Sequence, residues 1–559
     1  MDVTCLSVAP PYTNHNNNPF NSNVPRNIRV PYLSQNVYKQ TAGWDTHNIL
    51  THPDLPKNVY MNQAYNMTWP AEVMTTWKPN IYIVPNVKNT SSEGGNGGML
   101  TYGSLHVGSK ASMSADTLNI YYSFYSAKEA DKRKFFVPML VNGTARADVI
   151  RTEINISKNY WTFFSLPYDV KVADITSTHP ADPFVIRTYD GKKRADGQNT
   201  EAWTKMTKDS ILHARQGYII RTTNGDFDQY YNNYFLPSIN NANKPRFFTN
   251  DDVVVPLNEY PTEFAHNRSW NFIGNPYPCF FDIRAMQTTS PITIWNRSSN
   301  YETYSPLDDD YILNPGQAFF IQRPLDQNQV VFLKEGRQFD LSIRDTIYYN
   351  SSRAKVAGHH RQVFNLLLNG DGEQLDRTRF VLNESATLGY DDGLDAPKFF
   401  SLAEGVAHFY TINGDVQYAI NERPVASGEI LLGLQLPVSG TYSISLGTSR
   451  KNPSETVANQ EASEANSGLW LIDKQTGAET DLTVTAYTFQ ADAGTLNSRF
   501  IIRLGAATGI QLVGNETLQE EQFFDLQGRR ISQPQKGIYI KRSGKGRSQG
   551  KNGQKVVVK

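Results

Sequence analysis

The chain has 559 residues, more than one hydrophobic core normally organises, and this length predicts about three to five structural units. Its 54 basic and 54 acidic residues balance, so the overall charge gives no reason to expect nucleic acid or an anionic membrane as a partner. Charged residues make up only 19% and aromatic residues 12%, which favours half-buried strands and predicts an all-β protein. The only two cysteines, Cys5 and Cys279, exclude a disulfide scaffold and the usual zinc ribbons.

The N-terminal part is rich in Asn, Pro and Tyr. Residues 1–98 show no sustained period and predict an irregular segment with scattered short strands. Residues 99–156 alternate short apolar runs with turn residues, which predicts either a small parallel stack of strands or a meander. The first residues lack the positive charge and the apolar run of a secretory signal peptide. If the protein is exported, we therefore expect this chain to be the C-terminal portion of a longer precursor or its start to be wrongly assigned. No apolar stretch is long enough for a transmembrane helix.

An internal repeat follows. WTFFSLPYDVKVADI, which begins at Trp161, resembles WNFIGNPYPCFFDI, which begins at Trp270, and the later runs QGYII and QAFFI also match. The paired positions are Trp161, Phe163, Pro167, Tyr168, Asp174 and Ile175 with Trp270, Phe272, Pro276, Tyr277, Asp282 and Ile283. A strand with Trp and Phe two residues apart places both on one sheet face, and the following Pro ends the strand. We therefore predict that residues 157–339 form one β-sandwich from two copies of this unit.

The two repeat tryptophans have two interpretations. A large ring on a sheet face usually anchors a core. The alternative is that Trp161 and Trp270 are aromatic contacts for a ligand.

Residues 340–505 contain further short strands separated by Gly-containing turns, at spacings typical of a second β-sandwich, and residues 506–522 read as a linker. Acidic turns in this region supply Asp371, Asp391, Asp392 and Asp395, a weak candidate for a calcium site. Ordinary solvated turns are the favoured interpretation of these residues and of the LDDD segment at 307–310.

A search for catalytic patterns gives no named site. The ten histidines are scattered, and no HExxH, GxSxG or phosphate-binding loop is present. A pair of carboxylates could converge from distant strands, but the sequence names no pair. The sequence therefore favours a protein that is not an enzyme and has no cofactor.

The C-terminal segment, residues 523–559, carries the most specific pattern. FFDLQGRRI is followed by PQKGIYI and by a terminal KVVVK, which predicts four strands near Phe523–Leu526, Arg529–Ile531, Gly537–Lys541 and Lys555–Lys559. This segment resembles the type A C-terminal sorting domain of type IX (porin-type) secretion substrates of Gram-negative bacteria. The matched positions are Phe524, Asp525, Leu526, Gly528, Arg529, Gly537, Ile538, Tyr539, Ile540 and Lys555 to Lys559. The loop SGKGRSQGKNGQ before the last strand is longer than the family usually has.

The resemblance implies an export route. The C-terminal segment would contact the type IX machinery, and the protein would end outside the cell or on the outer-membrane surface. The region upstream is similar to β-sandwich modules of large bacterial surface proteins. Our leading hypothesis is an adhesin-like, non-catalytic protein that binds a glycan or a host protein. The alternatives are the accessory C-terminal portion of an exported hydrolase, whose catalytic domain lies elsewhere, and a structural spacer.

Overall fold

A computed structural model provides the architecture of the chain. It describes residues 160–178, 183–222, 231–239, 246–248, 250–296, 300–338, 361–424, 428–447 and 468–504. Before residue 158 and after residue 521, it describes only the short segments that contain the elements named below. Residues 1–504 form one compact unit and residues 505–559 form another. The expectation of an all-β protein is confirmed, because nearly every regular element is a strand.

The first part of the chain is a stack of parallel strands. Its elements are β1 (Asp2–Thr4), β2 (Asn27–Val30), α1 (Gln35–Gln40), β3 (Asn48–Thr51), β4 (Asn58–Met61), β5 (Ala64–Met67), β6 (Asn80–Ile83), β7 (Pro85–Val87), β8 (Leu100–Tyr102), β9 (Ser104–Val107), β10 (Ser112–Ser123), β11 (Met139–Val141) and β12 (Thr144–Ser157). Strands β1–β2–β3, β4–β6–β10–β12 and β5–β9–β11 form three parallel ladders. From β4 to β12 the chain alternates between two ladders, as it does in a β-solenoid, apart from the β7–β8 pair.

This arrangement decides between the two expectations for residues 99–156 in favour of the parallel stack. It also corrects the expectation for residues 1–98, because β4 and β6 belong to the same ladder as β10 and β12. The buried side chains of β10 alternate along the strand, at Leu118, Ile120 and Tyr122, so one face of the ladder forms a core.

The two repeat copies come next. The first contains β13 (Thr162–Ser165), β14 (Val170–Lys171), β15 (Thr176–Ser177), β16 (Phe184–Tyr189), α2 (Gly191–Ala195), β17 (Trp203–Lys205), β18 (Ile211–Leu212), β19 (Gly217–Thr222), β20 (Tyr231–Pro237) and β21 (Arg246–Phe248). The second contains β22 (Val253–Pro256), β23 (Trp270–Gly274), β24 (Phe280–Asp282), β25 (Ile292–Trp295), β26 (Tyr301–Tyr304), β27 (Ile312–Leu313), β28 (Ala318–Gln322), β29 (Gln329–Phe332) and β30 (Arg337–Gln338). The sheets β13–β19–β16–β17 and β23–β28–β25–β26 have the same strand order, as a true repeat requires.

The two sheets pack face to face about a pseudo-twofold axis. The Ser165 amide donates to the Gly316 carbonyl at 2.8 Å, and the Gly274 amide donates to the Arg215 carbonyl at 3.0 Å. Ser165 and Gly274 occupy equivalent positions, as do Arg215 and Gly316, so each copy makes the same bond to the other. Between the sheets lies an aromatic layer; its residues are Trp161, Phe163, Tyr189, Trp203, Ile219, Trp270, Phe272, Trp295, Tyr301, Ala318, Phe320 and Phe399. The two repeat sheets therefore face each other across this aromatic layer.

One detail of the sequence alignment was wrong. In the first copy Val170 and Lys171 pair with Leu212 and Ile211, and in the second Phe281 and Asp282 pair with Leu313 and Ile312. Asp282 therefore corresponds to Lys171 rather than to Asp174. Asp282 precedes a 3₁₀ turn and accepts from the Arg284 amide, whereas Asp174 lies inside the equivalent turn.

The first repeat copy also closes the end of the parallel stack. Strand β12 pairs in parallel with β10 on one side, whereas β20 and β21 pair with it antiparallel. The short strand β15 then extends the sheet beyond β20. The hydroxyl of Tyr168, the aromatic residue of the first Pro–Tyr pair, shares a hydrogen bond with the Thr152 hydroxyl of β12 and donates to the Leu236 carbonyl of β20.

Residues 361–504 form a single 11-stranded sheet. Its strands are β31 (Arg361–Gly370), β32 (Glu373–Asn383), β33 (Ala396–Pro397), β34 (His408–Asn413), β35 (Val416–Arg423), β36 (Glu429–Leu436), β37 (Gly440–Gly447), β38 (Leu469–Asp473), β39 (Ala478–Asp481), β40 (Tyr487–Ala491) and β41 (Gly494–Leu504). The sheet curls until Phe489 of β40 meets Phe500 of β41 at 4.7 Å between ring centroids, although these strands are not paired. The expected second sandwich is thus one nearly closed sheet around one core.

The C-terminal unit contains a four-stranded antiparallel sheet. Its strands are β42 (Gln522–Phe524), β43 (Arg530–Ile531), β44 (Gly537–Arg542) and β45 (Gln554–Val558), and their order is β43–β42–β44–β45. These bounds lie within one or two residues of the strands expected from the sequence.

Candidate functional site

Several of the residues matched to the sorting pattern lie in the C-terminal sheet. Phe524 pairs with Arg530 on one side and with Ile540 on the other, and Ile540 in turn pairs with Lys555. Tyr539 pairs with Val556, and Gly537 begins β44 opposite Val558. The sheet thus brings the two halves of the pattern into one register. Asp525, Leu526, Gly528, Arg529 and Lys559 lie outside the described residues.

The two repeat tryptophans have different surroundings. Trp270 is only 1% exposed, its indole N–H donates to the His266 carbonyl at 2.9 Å, and its ring meets Phe399 edge-on at 4.9 Å. The Arg194 guanidinium lies 4.8 Å from its ring centroid. A ring enclosed in this way cannot contact a ligand, so Trp270 is a core residue and the ligand-contact interpretation was wrong for it.

Trp161 occupies the equivalent position in the first copy but is only partly buried. The guanidinium carbons of Arg187 and Arg221 lie 5.4 Å and 5.9 Å from its ring centroid, within the range of cation–π attraction. Lys205 lies directly opposite Arg187 on the neighbouring strand. The guanidinium groups of Arg187 and Arg221 therefore flank one accessible aromatic ring, and Lys205 adds a third cation on the strand next to Arg187.

The difference between the two rings follows from the lengths of the connections. In the first copy, the connection between β16 and β17 spans residues 190–202 and contains α2, which packs against β23 and places Arg194 over Trp270. In the second copy, the equivalent connection spans only residues 296–300. Phe399, which follows β33 of the 11-stranded sheet (called the third sheet below), completes the cover over Trp270, whereas Trp161 has no equivalent of it among the described residues.

The four aspartates proposed for calcium do not converge. Asp371 lies in the β31–β32 turn, and Asp392 forms an ion pair with Arg268. Asp391 accepts hydrogen bonds from Thr387, and its own amide donates to Asp395 at 2.7 Å. Burial raises the pKa of the Asp395 carboxyl well above its usual range, although the Asp391 and Glu422 amides donate to it. Within the described residues, no three His, Cys, Asp or Glu side chains gather as metal ligands would.

The LDDD segment is not a solvated turn, and this interpretation is corrected. The Asp309 carboxylate accepts both terminal nitrogens of Arg379, at 2.7 and 2.8 Å, and Asp308 pairs with Arg361 at 2.6 Å. Burial alone would raise the pKa of Asp309, but the charges of Arg379 and Arg377, with the hydrogen bonds from Arg379 and the Ser305 amide, together outweigh burial and lower it. These ion pairs join the second repeat copy to the third sheet, and their partners lie too far away in sequence for the segment to reveal them.

A cleft opens at the same junction. It is lined by residues of β26, β32 and β35 and by Lys398, whose ammonium lies 2.6 Å from Asp376 with both side chains 3% exposed. The amide of Phe409 also donates to Asp376, at 2.7 Å. The space open to a water-sized sphere is only about 10 Å³, room for about one water molecule. In this conformation, the cleft therefore holds a structural ion pair.

In the part of the chain that the structure describes, no helix is long and apolar enough to cross a bilayer.

Comparison with known proteins gives one finding. A family model described as a domain of unknown function (DUF8693) matches residues 286–504. No curated protein and no solved structure matches the chain. The matched segment begins inside the second repeat copy and ends with β41, so it includes both sides of the junction that Asp308, Asp309, Arg361 and Arg379 hold together.

Proposed function

We propose that this chain is an exported, non-catalytic protein of the bacterial cell surface, delivered through its C-terminal unit by type IX secretion machinery. The observation that supports the proposal is that residues 505–559 form a compact unit of their own, with its four strands where the sorting pattern requires them. A separate unit can be handed to a transport machine without disturbing the fold of its cargo.

The geometry of the C-terminal sheet fits docking on another protein. In the described part of this unit, β43 and β45 each pair with one neighbour, so they form the two edges of the sheet. Edge strands offer backbone N–H and C=O groups to a partner strand. The sequence from Arg529 to Lys559 contains ten Lys or Arg residues and no Asp or Glu, which favours an acidic partner surface.

The test is deletion of Phe523–Lys559 in the native host, with the protein measured by immunoblot in the cell, surface and medium fractions. We expect the deleted chain to remain inside the outer membrane. The matched control removes residues 544–551, which shortens the long loop before β45 and leaves all four strands. Export of this control should continue. Normal surface amounts of the chain without Phe523–Lys559 would contradict the proposal.

The binding or structural role assigned to residues 1–504 is supported by their organisation. A parallel stack, two repeat sheets and a curled sheet share one compact unit, and an aromatic ring surrounded by cations remains accessible on it. Surfaces of this kind suit recognition of a partner.

A further inference from the structure

We propose that the partly exposed face around Trp161, Arg187, Lys205 and Arg221 binds an acidic polysaccharide that carries carboxylate groups on its sugar rings. This inference rests on the binding role proposed above and names the class of ligand. It concerns the first repeat copy only, because the equivalent face of the second copy is buried.

Comparison of equivalent positions gives the first argument. Strand register equates Arg187 and Lys205 with Thr293 and Thr303, and it equates Arg221 with Gln322. The second copy is neutral at these three positions, and its residues there are at most 8% exposed. The first copy is cationic at all three, so the charge is concentrated on the copy that, among the described residues, has no counterpart of the cover over Trp270.

The second argument is energetic. In the second copy, the cross-strand pair Thr293 and Thr303 shares a hydrogen bond of 3.0 Å between its hydroxyl groups. In the first copy, the equivalent pair places Arg187 opposite Lys205, and like charges opposite each other destabilise a sheet. Neither side chain has an acidic partner among the described residues, and the Nε of Arg187 is buried without a hydrogen bond. A bound anion would remove this repulsion.

The third argument concerns the shape of the ligand. The three cations lie on three successive strands, which are spaced about 4.8 Å apart, so they extend across the sheet and suit a chain of charges better than a single ion. A guanidinium binds a carboxylate through two parallel hydrogen bonds. The accessible part of the Trp161 ring offers a flat apolar surface for the C–H face of a sugar. A carboxylated polysaccharide satisfies both features at once.

The experiment measures binding of polygalacturonate to the purified full chain by isothermal titration calorimetry, with dextran as the neutral control. We expect saturable binding of polygalacturonate, no binding of dextran, and weakening by salt because the contacts are ionic. Trp161→Ala, which removes the apolar surface, and the double variant Arg187→Gln/Arg221→Gln, which removes two cations, should each raise the Kd at least about tenfold. Lys208→Gln, which removes an exposed cation from the same repeat copy, should leave the Kd unchanged.

Three outcomes overturn the inference. These are no binding of polygalacturonate by the unmodified chain, equal binding by the double variant, and tighter binding of a single-stranded oligonucleotide than of polygalacturonate. The double variant changes only partly exposed side chains, so we expect it to fold normally. Circular dichroism checks the folding of each variant, so that a loss of binding is not mistaken for misfolding. Because the purified protein is used, a failure here leaves the export experiment unaffected, and a failure of export leaves this binding test valid.

Discussion

The two repeat copies share one sequence pattern but have different surroundings in the folded chain. The second copy has Gly at the close approach near the pseudo-twofold axis, a buried tryptophan and an acidic segment that locks it to the third sheet. The first copy has Ser165 at the equivalent close approach, a partly exposed Trp161 and a pair of like charges. The comparison shows that the second copy buries its tryptophan and forms ion pairs with the 11-stranded sheet, whereas the first copy has an accessible face around Trp161.

The largest expected effect comes from truncating the tryptophans. Trp270→Ala should reduce the free energy of unfolding by about 3–5 kcal/mol, because it leaves a cavity between β23 and Phe399. Trp161→Ala should cost only about 1–2 kcal/mol, because its ring is partly exposed already. Urea unfolding followed by far-ultraviolet circular dichroism measures both values. Equal losses of unfolding free energy for the two variants would contradict the difference in burial between Trp161 and Trp270.

The next largest loss of stability is expected from the acidic segment at 307–310 in the second copy. Asp309→Ala should cost about 3–5 kcal/mol, because it leaves the buried Arg379 guanidinium without its partner. The lowered pKa of Asp309 also sets a pH dependence. Its stabilising contribution is complete above the ordinary aspartate pKa of about 3.9 and is lost as the pH falls through the lower folded-state pKa.

The pH dependence provides a control for this second effect. The difference in unfolding free energy between the unmodified chain and Asp309→Asn should be constant from pH 7 to pH 5 and should shrink below about pH 4. Glu259→Gln removes a carboxylate from the same copy that is 59% exposed, and it should show little change at any of these pH values. A difference that persists unchanged into strong acid would show that Asp309 is not ionised in the folded protein.

A smaller effect is expected at the close approach of the two sheets. A methyl group added at Gly274 would overlap the Cβ of Ser165, so Gly274→Ala should cost about 1–3 kcal/mol. Combining it with Ser165→Gly removes the overlap, and the double variant should recover most of the loss. Thermal melting of the four proteins in a double-mutant cycle measures the coupling. Additive effects would show that these two positions do not meet.

The smallest effect concerns the turn that precedes β19 in the first copy and β28 in the second. Arg215 and Gly316 occupy equivalent positions with φ of 69° and 71°, a left-handed conformation that favours glycine. Gly316→Ala should cost about 1–2 kcal/mol from backbone strain, and its new Cβ would also lie 2.9 Å from the Tyr122 ring. Arg215→Gly should change stability by less than about 1 kcal/mol, because relief of strain offsets the greater freedom of glycine in the unfolded chain. Similar decreases in melting temperature for Gly316→Ala and Arg215→Gly would contradict this expectation.

The repeat itself was predictable because its pattern is local. Trp, Phe, Pro and Tyr at fixed spacing report a strand and its end, and each copy folds its own sheet from them. The alignment failed at Asp174 because a short insertion before a 3₁₀ turn shifts the register, and only the pairing of Lys171 with Ile211 reveals the shift.

What could not be predicted depends on contacts between residues that are far apart in sequence. Burial of Trp270 requires Phe399, and burial of Asp309 requires Arg379, so neither environment is visible near the residue itself. The parallel stack escaped detection in residues 1–98 because its strands are short and unevenly spaced, which leaves no period to read. The cationic face could have been found from the repeat alignment, since QAFFIQ in the second copy ends on a neutral residue where QGYIIR in the first ends on Arg221.

Strand β12 belongs to two parts of the fold at once. It continues the parallel ladder from β10, and it is covered by β20 and β21 from beyond residue 230. A fragment ending at residue 156 would therefore expose the N–H and C=O groups along most of a 14-residue strand. An uncovered edge of this length recruits strands from other molecules, so such a fragment should self-associate into insoluble material.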